Sequence, residues 1–132
     1  QAAIELESLA DPDENGYYNF EITDGIFDPS PVWSAMLFDW RAGIPTSILA
    51  ARFHNSIIEA VRAMSDEIKS HRNCGSITLS GGVWQNRYLL ERTTSHLKKD
   101  GFKVLTHNQV PANDGGISLG QAMIAAHGHL TS

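Results

Sequence analysis

The sequence predicts an α/β fold, a sheet containing parallel strands with helices packed on it, and three observations predict it. Two short apolar and β-branched runs, Ser76 to Leu79 and Phe102 to Thr106, bracket a helical pattern, which makes residues 76 to 106 a βαβ unit. Such crossovers are right-handed in nearly all cases and make their two strands parallel. A long amphipathic stretch from Thr46 to about Ser70 supplies a covering helix. Adjacent glycines, Gly81 and Gly82, stand where the first strand gives way to helix, at the carboxyl edge where open α/β sheets gather ligands.

In chain order, Ala2 to Ala10 reads as a helix with Ile4 and Leu6 apolar and Glu5 and Glu7 exposed. It ends at Asp11-Pro12, because proline disfavours helical backbone in the residue before it. Asp13-Glu14-Asn15-Gly16 is turn chemistry. Tyr17 to Ile22 alternates as a strand does, and Thr23-Asp24-Gly25 and Asp28-Pro29-Ser30-Pro31 are further turns. Val32 to Ala42 is helical and closed by Gly43. Trp33 and Trp40 are seven apart and share a face; core packing is expected of them, since no basic stripe accompanies them as base stacking would require. The longest helix begins at Pro45 or Thr46, with Leu49, Phe53, Ile57, Ala60, Val61, Met64 and Ile68 as its apolar stripe. His54 lies on the flank of that stripe, where a histidine is ordinarily packed and hydrogen-bonded.

After the glycines, Val83, Leu90, Thr94 and Leu97, with Leu89 and Thr93 beside them, recur at the spacing of one helix face, and Gly101 is placed for a left-handed C-cap. A last run of small and apolar residues, Ile117 to Ala126, reads as a buried helix. There is no internal repeat, low-complexity tract or clear linker, so residues 1 to 132 read as a single domain.

Two glycine-centred runs carry the chemistry: Leu79-Ser-Gly-Gly-Val-Trp-Gln-Asn-Arg87 and Val110-Pro-Ala-Asn-Asp-Gly-Gly-Ile-Ser-Leu-Gly-Gln121. In a parallel βαβ unit both emerge at the same edge. A glycine pair between strand and helix removes the Cβ atoms that keep a bulky anion from backbone N–H groups, and a helix amino end adds donors and partial positive charge. That pattern suits a phosphate-binding turn, and it also suits the plainer reading, a tight turn that needs positive φ. Neither a P-loop lysine nor a spaced dinucleotide fingerprint is present. Asn86 shares a helical face with Leu90, Thr93 and Leu97, so its amide either reaches a ligand over the sheet edge or bonds loop backbone. Asp114 precedes a glycine pair and a helix, so it is either an N-cap or a rim carboxylate for a hard metal ion, whose further ligands would come from elsewhere. His107 also follows a strand at this rim, where a loop role is expected. His71, His96, His127 and His129 have no mutual spacing that suggests a metal site. Arg87 is expected to be an exposed, salt-bridging arginine.

Composition narrows the classes. With 42% hydrophobic residues the 132-residue chain can bury a core. A net charge of −5 gives nucleic acid little electrostatic support, and no apolar run reaches the ~20 residues that span a bilayer. The single cysteine, Cys74, excludes an internal disulfide, fits a reducing, cytoplasmic setting, and is expected to be buried rather than nucleophilic. A first residue of Gln rather than Met, leading directly into helix, is what a piece of a longer chain would show.

Leu79 to Glu91, Gly101-Phe102, Val110 to Ala122, the opening Gln1 to Ala10 and Ala51-Arg-Phe-His-Asn55 together resemble the carboxyl-terminal end of the HypF carbamoyltransferase family. The resemblance spans nearly the whole chain. It implies the second lobe of an actin, sugar-kinase and Hsp70-like fold, and ATP-dependent carbamoyl transfer from carbamoyl phosphate. That transfer passes through a carbamoyl-adenylate to the carboxyl-terminal cysteine of the partner HypE, in nickel-iron hydrogenase maturation. It matches Gly81 and Gly82 to the family's nucleotide-phosphate turn, Asn86 to the polar position after it, and Asp114 to its metal-binding aspartate, which implies magnesium or another divalent metal. The family's metal-binding histidines and its acylphosphatase-like, zinc-finger and YrdC-like domains have no counterpart in these residues, so the chain alone is expected to be inactive. Two other readings are a tRNA threonylcarbamoyltransferase-like or sugar-kinase-like lobe, which the bulky Trp84-Gln85 and the acidic balance disfavour, and a non-catalytic module that senses nucleotide or docks a partner.

Overall fold

The computed structural model describes residues 2–106, so the expectations for His107, Asp114, the second glycine run and the helix from Ile117 to Ala126 lie outside the described residues. The chain divides into two compact units, residues 1–64 and residues 65–132.

The first unit contains α1 (Ala2–Leu9), β1 (Glu21–Thr23), β2 (Ile26–Asp28), α2 (Ser30–Arg41) and most of α3 (Thr46–Arg72). The expected strand from Tyr17 to Ile22 is shorter and later than its alternation suggests. It pairs antiparallel with β2, Ile22 opposite Phe27, across a two-residue Asp24-Gly25 loop. Both loop residues have positive φ, 52° and 75°, as a type I′ hairpin turn requires. Tyr18 lies before the hairpin and donates its backbone N–H to Ser56 Oγ at 2.7 Å.

α2 starts where Asp28 Oδ1 accepts the Ser30 N–H at 2.9 Å. The Ser30 hydroxyl first, and then this backbone N–H, hold the Asp28 carboxyl below its ordinary value. It ends as expected at Gly43. The Gly43 N–H reaches the Trp40 carbonyl and the Ile44 N–H that of Asp39, both at 3.1 Å, a paired closure that needs the left-handed backbone of Gly43, φ 82°. The tryptophans correct the sequence reading. Val32 is the residue of α2 that is buried, whereas Trp33 and Trp40 are 52% and 64% exposed. The helix is rolled so that Asp39 turns toward polar partners on the inner side. In α1, Ile4 is exposed.

α3 covers 27 residues, close to the expected span. Its inward face in this unit runs through Ala50 and Ala51, His54 and Asn55, and Ile58, four-residue steps of one helical side. Met64 and Ile68, assigned to the apolar stripe, are exposed. Asn55 donates to the backbone carbonyls of Glu14 and Gly16, both at 2.9 Å, and so fastens the loop before the hairpin to α3.

The second unit holds the end of α3, β3 (Ser76–Thr78), α4 (Arg87–Lys99) and β4 (Lys103–Leu105). β3 and β4 are parallel, Ile77 opposite Val104, as the βαβ reading requires. The ladder is bracketed by Lys103 N–H to the Gly75 carbonyl and Leu79 N–H to the Leu105 carbonyl, each 2.8 Å. α4 presents Leu89, Thr93 and Leu97 inward, and Leu79, Trp84 and Phe102 are buried with them. Gly101, φ 92°, closes α4 as expected, with Gly101 N–H on the Lys98 carbonyl and Phe102 N–H on that of Leu97. Lys69 lies over the Phe102 ring, 4.7 Å from its centroid, and its Nζ donates to the Asp100 carbonyl.

Candidate phosphate-binding turn

The sheet ladder runs out at Leu79, and two residues later the backbone adopts a conformation that only glycine holds without strain: Gly81 has φ 107° and ψ 170°. Gly82 then opens a 3-10 turn, Gly82–Gln85, which Trp84 N–H closes onto the Gly81 carbonyl at 3.2 Å. The amides of Gly82 and Val83 precede that first bond. Among the described residues a Cβ built on Gly82 would meet nothing within 4 Å, and Gly82 is exposed. The two glycines therefore do different jobs. Gly81 makes the bend and Gly82 leaves it uncovered.

The helix that the sequence pattern begins at Val83 begins at Arg87. Val83 belongs to the 3-10 turn and is 54% exposed, while Trp84 is turned into the core at 9%. A 3-10 turn has three residues per turn rather than 3.6, which swaps the inward position from Val83 to its neighbour. Asn86 stands between turn and helix with extended backbone, and its Oδ1 accepts the Leu89 N–H at 3.0 Å. Of the two roles left open for this amide, the structure shows the bond to nearby backbone, as an N-cap. The glycine turn and the amino end of α4 are thus consecutive features with Asn86 as the joint.

The other candidates are placed as follows. Arg87 Nη2 pairs with Glu91 Oε1 at 3.1 Å on an exposed face, as expected. Cys74 is half-buried, its Sγ within 3.2 Å of the Ser76 carbonyl. His54 is 2% exposed and its Nδ1 donates to the Ala50 carbonyl at 2.7 Å, the packed role expected of it. Among the described residues no three His, Cys, Asp or Glu side chains converge as a metal site, and no helix is long and apolar enough to cross a membrane.

Sequence reasoning missed a polar network in the first unit. Arg52 places Nη1 2.8 Å from Asp39 Oδ2 and Nε 3.5 Å from Glu14 Oε1, and the Tyr18 hydroxyl donates to the same Asp39 oxygen at 2.7 Å. Burial, then the hydrogen bond and negative charge of Asp39, push the Tyr18 pKa up to about 12. Burial alone would lower the Arg52 pKa; the contacts with Asp39, Tyr18 and Glu14 outweigh it and raise it. The signal was present in the Ala51-Arg-Phe-His-Asn55 run, whose arginine, histidine and asparagine are all held by specific partners.

Residues 1–121 match the family described as "Carbamoyltransferase, Kae1-like Domain, second subdomain". The chain belongs to the HypF carbamoyltransferase family. HypF from Rhodobacter capsulatus is 33% identical over 126 residues, covering 96% of this chain and 16% of the relative. HypF from Synechocystis sp. is 32% identical over 128 residues, covering 93% and 16%. The chain thus spans about a sixth of the length of these HypF relatives. Among solved structures, full-length HypF in a phosphate- and nucleotide-bound form matches with a TM-score of 0.82 and 39% identity, over 94% of this chain and 20% of that one. HypF of T. kodakarensis, 22% identical with a TM-score of 0.72, shares the fold. The glycine turn and the parallel strand pair accordingly lie on a HypF-type scaffold of mixed helix and sheet.

Proposed function

We propose that this chain is the second lobe of an actin-like, ATP-dependent carbamoyltransferase unit and contributes the nucleotide-phosphate turn to it. The observation that carries the reading is the pair Gly81 and Gly82: a glycine-only bend followed by an exposed glycine, just beyond the end of a parallel strand pair. A relative of the same fold has been crystallised with phosphate and nucleotide bound, which supports that reading.

The chain's own contribution follows from this geometry. Backbone N–H groups at Gly82 and Val83 would receive phosphate oxygens, and the cap that Asn86 makes on Leu89 holds the turn fixed against α4. Asn86 is thereby a nucleotide-site residue that fixes the turn. Asp114 would supply one carboxylate to magnesium or another divalent ion, which neutralises phosphate charge. The remaining metal ligands and the rest of the reacting site would come from further parts of the HypF-type protein. In that complete protein, carbamoyl phosphate would lose its phosphate to water, the carbamate would take the adenylyl group of ATP with release of pyrophosphate, and the terminal cysteine thiol of a HypE-like partner in the cytoplasm would accept the carbamoyl group with release of AMP. Metal and reacting groups have to be held together to lower the barrier, so this chain alone releases no AMP and pyrophosphate from ATP and carbamoyl phosphate.

The test is an amide NMR titration with ATP and magnesium on the chain and on Gly82→Val. A valine at that position meets open space, so the fold is retained while approach to the amide is blocked. Shifts confined to residues 80 to 87 in the parent and lost in Gly82→Val are expected. Shifts that persist in Gly82→Val, or none at millimolar nucleotide, would rule out the turn as a preformed phosphate site.

A further inference from the structure

The β1–β2 hairpin has two edges, and only one of them is closed by its own chain. In a hairpin with a two-residue loop the pair flanking the loop, Thr23 and Ile26, exchanges the hydrogen bonds. The next pair, Ile22 and Phe27, then points its N–H and C=O groups outward. On the β2 side the outward row stops at once, because Pro29 has no N–H and its carbonyl accepts the Trp33 N–H at 3.1 Å. On the β1 side it continues from Ile22 to Phe20, the two-residue repeat a further strand uses, and stops at Tyr18, whose N–H goes to Ser56 Oγ. Among the described residues nothing bonds the outward backbone groups of Phe20 and Ile22.

A slot runs beside the same edge. It is a cavity of about 80 Å³ with Phe20 and Ile22 on one wall and Glu59, Ala60 and Ala63 of α3 on the other, and no residue of β2 lines it. Phe20 is steadied by an edge-on contact with Phe27, ring centroids 6.0 Å apart. Glu59 is paired with Arg62, so the charge at the rim is already met and the alanine methyls are what the wall offers. The space equals two or three waters at ~30 Å³ each, room for one aliphatic side chain. An open backbone row beside a side-chain pocket is how a sheet takes up an extended segment, the backbone supplying strength and the pocket selectivity.

Three-residue strands make a hairpin that is marginal by itself, and five of these six strand residues are exposed, so no helix covers them. A completing strand that came and went with a separate protein would leave the edge bare in the interval, the arrangement that promotes aggregation. A strand tethered in the same polypeptide is present at high effective concentration throughout. The HypF relatives contain such a source, since the match takes up 16% of their length. Register disfavours a second copy: bonding Phe20 of each copy to Ile22 of the other sets Glu21 directly against Glu21. We infer that the Phe20–Ile22 edge of β1 receives an extended segment of the same HypF-type protein from outside these residues, which adds as a third strand and sets an aliphatic side chain in the slot against α3. The inference rests on family membership and not on the nucleotide reading of the glycine turn.

HypF of Rhodobacter capsulatus, which matches 96% of this chain, supplies both probes. In that full-length protein the segment matching residues 19 to 23 is expected to exchange its amide hydrogens about tenfold or more slowly than in the isolated chain. Peptides of about ten residues that tile the remainder of the same HypF are also titrated into the chain at millimolar concentration. One of them is expected to slow exchange at the Phe20 and Ile22 amides and to shift the Ala60 and Ala63 signals. Its affinity should fall about tenfold or more in Ile22→Pro, which removes an outward N–H and no hairpin bond, and in Ala60→Leu, which fills the slot. Circular dichroism checks both folds, and Ala60→Leu keeps the test decisive if the proline variant misfolds. Fast exchange in full-length HypF would assign the edge to a separate protein and overturn the inference. So would the absence of any peptide that protects these amides, affinity unchanged in the folded variants, or protection at Ile22 that rises with the concentration of the chain alone, the mark of a second copy.

Discussion

Gly81 and Gly82 are neighbours with unlike tolerances, and the difference is measurable. At φ 107° and ψ 170° a Cβ on Gly81 is strained, so Gly81→Ala is expected to cost about 1–3 kcal/mol in denaturant unfolding. Gly82→Ala meets open space and should stay within about 1 kcal/mol of the parent. Comparable losses at both would mean that the turn is not built as described. Tyr18 gives a second test. Its hydroxyl titrates near 12 in the folded chain against 10.0 ordinarily. The folded state keeps a proton that the unfolded chain releases, so the stability this provides is complete below pH 10 and is lost as pH rises from 10 toward 12. Tyr18→Phe should cost about 1 kcal/mol near neutrality and flatten the alkaline loss relative to the parent. An identical alkaline slope in both proteins would remove Tyr18 from the account.

The elements read most reliably from the sequence are those whose signals are local. Gly43 and Gly101 end α2 and α4 as expected because a left-handed closing residue is a property of one backbone position. The strands of the βαβ unit were readable for a related reason: each is a short β-branched run beside an unmistakable helix. The hairpin was not, since three-residue strands hold too few alternations to separate β2 from a turn, even with Asp24-Gly25 between them. The start of α4 was misread because Val83 continues the spacing of Leu90 and Leu97, and spacing alone does not report the change to a tighter turn. Asn86 marks the true start. Asn86→Ala should cost about 1 kcal/mol and Asn86→Asp far less, followed by thermal unfolding. Equal losses in the two variants would argue against a capping role. Which side of α2 faces inward was beyond the sequence, because that side is chosen by Asp39 meeting Tyr18 and Arg52, residues 21 and 13 positions away.

At the scale of the chain, α3 is shared property. It runs unbroken past Met64 and Ser65, where the two compact units meet in sequence, and contributes buried residues to the first and the Lys69 contact to the second. A proline inside that helix removes a backbone bond and clashes with the preceding turn, at about 3 kcal/mol or more. Met64→Pro is therefore expected to lower the unfolding midpoint seen by tryptophan emission and by far-ultraviolet circular dichroism together. A variant in which only one signal moves would show that the units hold independently of the helix they share.

The last rung of the parallel ladder, Leu79 to Leu105, falls two residues before Gly81. The ladder is complete at that rung, and what a phosphate would touch lies in the loop beyond it. Descendants of such a chain can alter the loop after Leu79, and with it the molecule accepted, while inheriting the same scaffold intact. Change at the exposed positions of this edge, Gly82 and Val83, is cheap for folding and consequential for chemistry, while Gly81, Trp84 and Asn86 keep the loop in place, which is a condition under which one architecture diversifies into many enzymes.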